Sequence, residues 1–221
     1  MGMMGSVGSP SLVKAGFEAE GMGDIDMTLM HEFAVRTRYG SEVLERRELV
    51  LDAHVRYLRR FRARIRFSGP ILDPNGVTPI GGFAIFRATD LRDAQSFVEK
   101  EPFHRAGILE SVELNGFLGF DANVQESLDT AASAGLFLCQ QSIKSLWHGN
   151  GVANPDGLVT SGLTLDGEFR RATRLVRIVR ASDSEEARRS IIPTWPQEGR
   201  EEPRGASIVR WRFGRAITPP A

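Results

Sequence analysis

Two hydrophobic periods alternate along the chain. From His31 to Thr37 the order His-Glu-Phe-Ala-Val-Arg-Thr has the β-branched and aromatic content of a short strand. From Gly40 to Arg66 the spacing changes: Leu51, His54, Val55, Leu58, Phe61 and Ile65 recur at helical intervals and form one buried stripe, with Ser41 placed to cap the helix. Ser68-Gly69-Pro70 ends that pattern, and Asp73-Pro74-Asn75-Gly76 is a turn between two strands, Arg66 to Leu72 and Gly81 to Arg87. Thr89-Asp90 cap a second helix, Leu91 to Lys100, and Glu101-Pro102-Phe103 and Gly107 form a loop into a strand from Leu109 to Phe117. The resulting order, βαββαβ, predicts a ferredoxin-like α+β unit over residues 30–120.

The second half repeats the first in weakened form. Ser161-Gly162, Leu165-Asp166, Arg180-Ala181, Asp183 and Ala187 align without a gap to Ser68-Gly69, Leu72-Asp73, Arg87-Ala88, Asp90 and Ala94. After a short insertion, Val209 to Phe213 matches Glu113 to Phe117. Agreement at caps and turns is the mark of a repeat. Between Lys144 and Gly157, the residues Gly149, Gly151 and Pro155 argue against a full first helix, so residues 135–221 read as a degenerate second copy. Residues 121–134 then form a linker, and residues 1–29 a flexible tail in which Met27 offers an alternative start. A four-stranded sheet with helices on one side leaves its other side apolar. Two such sheets in one chain are therefore expected to meet face to face, as a tandem fused pseudo-dimer that closes an α+β barrel and leaves homo-oligomers open.

Composition narrows the function. Lysine plus arginine and aspartate plus glutamate number 28 each, so no global field draws the chain to nucleic acid or an anionic membrane. Hydrophobic residues at 41% are enough for packed cores, and no apolar run reaches the roughly 20 residues of a membrane span. The single cysteine, Cys139, excludes an internal disulfide, fits a reducing cytoplasmic setting and reads as a core residue. His31, His54, His104 and His148 have no metal-ligand spacing, and Gly81-Gly82 lacks the pattern of a phosphate loop, so neither metal nor cofactor is expected. The arginines from Arg170 to Arg177 read as a solvated sheet edge rather than a nucleic-acid surface. The expected partner is a small-molecule substrate.

His54 carries the clearest chemistry. Its place in the apolar stripe turns the imidazole inward. A ring that titrates near neutrality suits proton abstraction from a bound phenol, enol or carbon acid, and the plainer reading is a core histidine bonded to a backbone carbonyl. Arg47, two turns earlier on the same face, has forked donors suited to a substrate carboxylate or phenolate; a surface pair with Glu48 is the alternative. Ser68 and Asp73 near the hairpin, and Phe103 after Glu101-Pro102, are candidate pocket-lining residues, with turn capping as the other role for Asp73.

Arg47, then Leu51 to Leu58 with His54, then Ser68-Gly69-Pro70, Ala94, Glu101-Pro102-Phe103 and Ala106-Gly107 resemble, in their order, the YciI-like (YCII-related) family. The resemblance implies a dimeric α+β barrel fold and an active site that pairs His54 with the carboxylate of an Asp-Pro-aromatic loop. Here that carboxylate is Glu101, one methylene longer than the family's aspartate. His148 in the second copy has no such partner downstream and reads as a relic. Members of the family have been linked to dehydrohalogenation and other proton-driven eliminations, and related barrels include muconolactone-isomerase-like proteins. What this implies is a cofactor-independent lyase or isomerase of bacterial minor metabolism, in which His54 moves a proton on a small cyclic or carboxylated metabolite and Glu101 orients it. The competing reading is a non-catalytic ligand-binding or accessory module of the same fold.

Overall fold

The first strand, β1 (His31–Tyr39), runs two residues beyond its expected end and leads into α1 (Leu44–Arg60). The computed structural model describes residues 30–41, 43–120, 135–143, 155, 157–191 and 206–214, so the expected tail, the 121–134 linker and His148 lie outside the described residues. Ser41 does not cap α1: it stands in a turn before the helix, and the capping position falls to Val43, which offers no side-chain bond. After Phe61 the backbone tightens into a 3-10 turn, Arg62–Arg64, which turns the chain into β2 (Ile65–Leu72). Then come β3 (Pro79–Ala88), α2 (Leu91–Lys100), the short α3 (Pro102–Arg105) and β4 (Leu109–Gly119). The second half contributes β5 (Gly135–Ser142), β6 (Leu158–Leu165), β7 (Ala172–Ala181), α4 (Ser184–Ile191) and β8 (Ser207–Trp211).

All the strands join one closed antiparallel ring in the order β1-β3-β2-β8-β5-β7-β6-β4. Read as halves, β4-β1-β3-β2 and β8-β5-β7-β6 are two ferredoxin-like sheets joined at two seams, β2 to β8 and β4 to β6. From β2 to the start of the helix after β3 the halves keep an offset of 93 residues: β2 and β6 begin at 65 and 158, and β3 and β7 end at 88 and 181. The shared positions have shared jobs. Asp73 Oδ1 accepts the Val77 and Thr78 amides in one hairpin, and Asp166 Oδ1 accepts the Arg170 amide in the other. Asp90 caps α2 through the Asp93 amide at 2.8 Å, and Asp183 accepts the Glu186 amide at 2.8 Å. Ala94 and Ala187 are both fully buried where their helices press on the sheet. Asp90→Ala is expected to cost about 1 kcal/mol, the usual worth of such a cap, and urea unfolding measures it.

The alternation of strand side chains divides the core by face. Ala34, Phe67, Phe83, Leu138, Ile178 and Trp211, drawn from both halves, fill the barrel interior. The opposite face of the first sheet carries Phe33, Val35 and Phe86 beneath Phe97 and Val98 of α2; the second sheet carries Phe137 and Val179 beneath Ala187 and Ile191 of α4. Cys139 is in that last layer, 1% exposed, and burial pushes its thiol up to about 12, as a core residue requires. The arginine-rich strand is the exception to expectation. β7 is no edge, since β5 and β6 flank it in the ring, and Arg177 is buried, with desolvation lowering its guanidinium to about 10.

The hairpin tips show how the halves complement each other. Gly76 and Phe169 stand at the same repeat position, and both have positive φ, 75° and 58°. A Cβ on Gly76 would lie 2.6 Å from Arg210 Cδ, so the glycine makes room for that side chain. Phe169 instead reaches over Gly116 and meets Phe33 edge-on at 5.2 Å between ring centres. A left-handed backbone costs a bulky residue about 1–3 kcal/mol, and the packing over Gly116 and against Phe33 offsets part of it.

Candidate active site

Glu101 is held by the backbone before it does any chemistry. It ends α2 and caps α3 in extended conformation, with Pro102 at the first helical position, where a missing N–H costs nothing. Its Oε2 accepts the His104 amide at 3.0 Å, which leaves Oε1 directed at α1. There it meets His54 Nδ1 at 2.5 Å. A carboxylate only accepts, so Nδ1 is the donor and the lone pair of the neutral ring is on Nε2. Nε2 has no hydrogen bond among the described residues, and the His54 side chain is 22% exposed. Phe103, almost fully buried, lies flat on the imidazole, 4.0 Å between centres and 5° between planes. Two side chains from one short turn thus fix the ring, one through its edge and one through its face.

Arg47 comes from the same face of α1. Its guanidinium lies 5.5 Å from the centre of Phe103 and 5.6 Å from that of Tyr39, with Nη1 bound to Glu48 at 2.6 Å. The Glu48 pair forms, and the arginine is buried among the site aromatics rather than held at the surface. Its buried Nε has no partner among the described residues. Tyr39 meets Phe103 edge-on at 5.7 Å. Burial raises the Tyr39 hydroxyl pKa, and the Arg47 charge and hydrogen bond pull against it. Tyr57, bonded to the Phe97 carbonyl at 2.8 Å, is pushed up to about 12 by burial and then by Glu101.

The helix-facing side of the sheet below is built from small residues. Thr37 pairs with Gly82, and Val35 and Ser68 with Ala84. A Cβ on Gly82 would lie 3.1 Å from Thr37 Oγ1, so the glycine gives that hydroxyl its room, with the Tyr39 hydroxyl 4.0 Å away. At the positions of Gly82 and Ala84 the second half has Leu175 and Arg177, opposite Gln141 and Cys139. The corresponding space there is filled by side chains.

His54, Glu101, Phe103 and Arg47 therefore converge, and two of the six candidates do not join them. Ser68 is buried on the same face of the sheet opposite Ala84, where its carbonyl accepts the Gly214 amide at 2.8 Å. Asp73 is in the β2–β3 turn, where the backbone amides of Val77, Thr78 and Gly76 hold its carboxyl below the usual range, so it caps the turn. Tyr39 and Gly82 were not anticipated. Tyr39 follows Phe33, Val35 and Thr37 in strict alternation, a signal that needed only a strand extended by two residues. Among the described residues, no three His, Cys, Asp or Glu side chains converge as a metal-binding group, and no helix is long and apolar enough to cross a membrane.

Known structures share this architecture. Chlorite dismutase from Candidatus Nitrospira defluvii, in complex with imidazole, is 10% identical over 85% of this chain and 92% of its own, with a TM-score of 0.52, a likeness of fold alone. A mutant of the same enzyme in complex with cyanide gives a TM-score of 0.53, at 10% identity over 84% of this chain and 92% of its own. The 5-chloro-2-hydroxyhydroquinone dehydrochlorinase TftG from Burkholderia phenoliruptrix AC1100 is 28% identical over 38% of this chain and 89% of its own, with a TM-score of 0.36. No curated protein matches the chain. The YCII-related domain matches residues 32–117, from β1 almost to the end of β4, with every residue of the His54 cluster inside it.

Proposed function

We propose that the first half of the barrel is a lyase or isomerase in which His54 Nε2 removes a proton from a small cyclic or carboxylated substrate. The observation that carries this reading is the 2.5 Å contact between Nδ1 and Glu101, which leaves the opposite ring nitrogen without a partner among the described residues. A base fixed in one tautomer, beside a carboxylate that stabilises the imidazolium it becomes, is the arrangement proton transfer needs. The proton moves from a carbon acid or phenol to Nε2, and negative charge grows on the conjugated substrate oxygen. Arg47 offers that oxygen a cation and Tyr39 a hydroxyl, both in a half-dry setting where such charges count for more. In an elimination the electron pair expels a leaving group; in an isomerisation the imidazolium returns the proton to another carbon. The step needs proton transfer only. Glu101 reaches His54 despite its extra methylene, so the longer side chain is no obstacle to the pairing.

The test is proton exchange. Small phenols, hydroxyquinones and cyclic carboxylates are incubated with the protein in deuterium oxide and followed by NMR. Wild-type protein is expected to exchange or eliminate at one position of at least one compound, and Glu101→Gln to slow that step about a hundredfold, within the usual worth of acid–base assistance. Ligand binding without exchange on any compound, or a Glu101→Gln variant as fast as wild type, rejects catalysis and leaves a binding module.

A further inference from the structure

On the other side of β1 the barrel has a mouth. A cleft of about 290 Å³ opens there, with Arg36, Ile71, Ile80, Ser111, Glu113 and Val209 in its wall. Arg36 is two residues on from Ala34, which faces the barrel interior, so its side chain leaves the strand on the inner face; Tyr39 leaves on the helix-covered face. In register Arg36 stands opposite Phe83 on one neighbouring strand and Glu113 on the other.

The charges at this mouth do not cancel. Arg38 is paired with Glu110 at 2.5 Å, and Glu113, the acid that faces Arg36, is taken by Arg174. Arg36 makes no hydrogen bond or ion pair among the described residues. Its pKa is held below the ordinary guanidinium value, first by burial, with Glu113 opposing and Arg174 adding to the effect. Three cations against two carboxylates leave one positive charge. The remainder of the wall is apolar: Ile71 is 4% exposed, Val209 packs on the interior core, and Ile80, at 41%, forms the lip.

We infer that the barrel mouth is a second binding site, for a small monocarboxylate whose carboxylate pairs with Arg36 and whose apolar chain lies against Ile71, Val209 and Ile80. A guanidinium at a partly dehydrated position gains most from an anion that presents two oxygens to its fork. The volume is at the lower bound of small-molecule pockets and suits a chain of a few carbons. This site is on the inner face of the sheet and uses none of the groups around His54.

Hexanoate is the probe, with 1-hexanol as its neutral counterpart, and isothermal titration of the full chain is the measurement. Saturable hexanoate binding is expected, with hexanol weaker by about tenfold or more, the scale of one charge-assisted bond. Arg36→Gln is expected to remove most of the affinity and Arg36→Lys to retain part of it. Ile80→Glu, a change at an exposed lip that leaves folding alone, is expected to weaken hexanoate similarly through repulsion, and it decides the matter should the Arg36 variants fail to fold. Arg47→Gln, on the outer face, is expected to bind hexanoate as wild type does. The inference is overturned by absence of saturable binding, by equal affinity for hexanol, by Ile80→Glu binding unchanged, or by loss of binding in Arg47→Gln rather than in Arg36→Gln.

Discussion

Gly162→Val is expected to break the barrel at its β4–β6 seam. A Cβ at that position would lie 2.2 Å from the ring of Phe117 and 2.8 Å from the Leu118 carbonyl oxygen, and valine adds two methyls beyond it. Neither neighbour has room to retreat. Phe117 is buried in the barrel interior, and Leu118 belongs to the pairing of Gly116 to Gly119 with Leu165 to Gly162 that makes the seam. The same glycine of the first repeat, Gly69, is at the other seam, where a Cβ would lie 1.9 Å from the Arg212 carbonyl oxygen. There Trp211 Nε1 donates to the Gly69 carbonyl at 3.1 Å and the Arg212 amide to Pro70 at 3.1 Å. Overpacking usually costs about 1–3 kcal/mol, and loss of ladder bonds takes either glycine to the top of that range or beyond. In a chain of this size that is a fall in Tm of roughly 6–12 °C. Thermal unfolding followed by far-ultraviolet circular dichroism, with tryptophan fluorescence as a second probe, measures it. A midpoint unmoved by both Gly162→Val and Gly69→Val would mean that the two halves do not meet along these strands.

His54→Ala is expected to act on rate and spare the fold. With any substrate found by deuterium exchange, kcat should fall by about 10²–10⁴, the range for removal of a general base. The stability cost is smaller, because the stack on Phe103 is worth about 0.5–1.5 kcal/mol beyond buried area. Glu101 keeps the His104 amide and its capping role, so no carboxylate is stranded without a donor. The Tm should move by a few degrees only. Unchanged turnover with lowered stability would return His54 to the packing between α1 and α3.

Local signals in the sequence settled most of the architecture and less of the site. The order βαββαβ was legible because caps and turns mark it: Asp90 does cap α2, and the hairpin follows Asp73 as read. The repeat was legible for the same reason, since Asp166, Asp183 and Ala187 repeat those jobs at a fixed spacing. The place of a strand within its sheet was less visible, and β7 shows the cost. Its arginines suggested a solvated edge, whereas β7 runs inside the second sheet between β5 and β6, where Arg177 is buried. The pairing of His54 with Glu101 spans 47 residues, which no helical or strand period connects; only the family resemblance suggested it. Asp73 failed as a pocket residue because its carboxylate is committed to three backbone amides. Gly82 and Ala84 passed unnoticed because small residues announce nothing until the space above them is known.

Carrying both sheets of the ring in one chain changes how this protein can vary. In a pair of identical chains, every substitution is made twice, and a change useful to one pocket is imposed on the other. Here a mutation is made once. The second sheet could take on Leu175 and Arg177, at the cost of any cavity there, while the first kept its small floor and its imidazole. Upkeep of the scaffold and upkeep of the chemistry have thus become separate tasks for separate stretches of one gene.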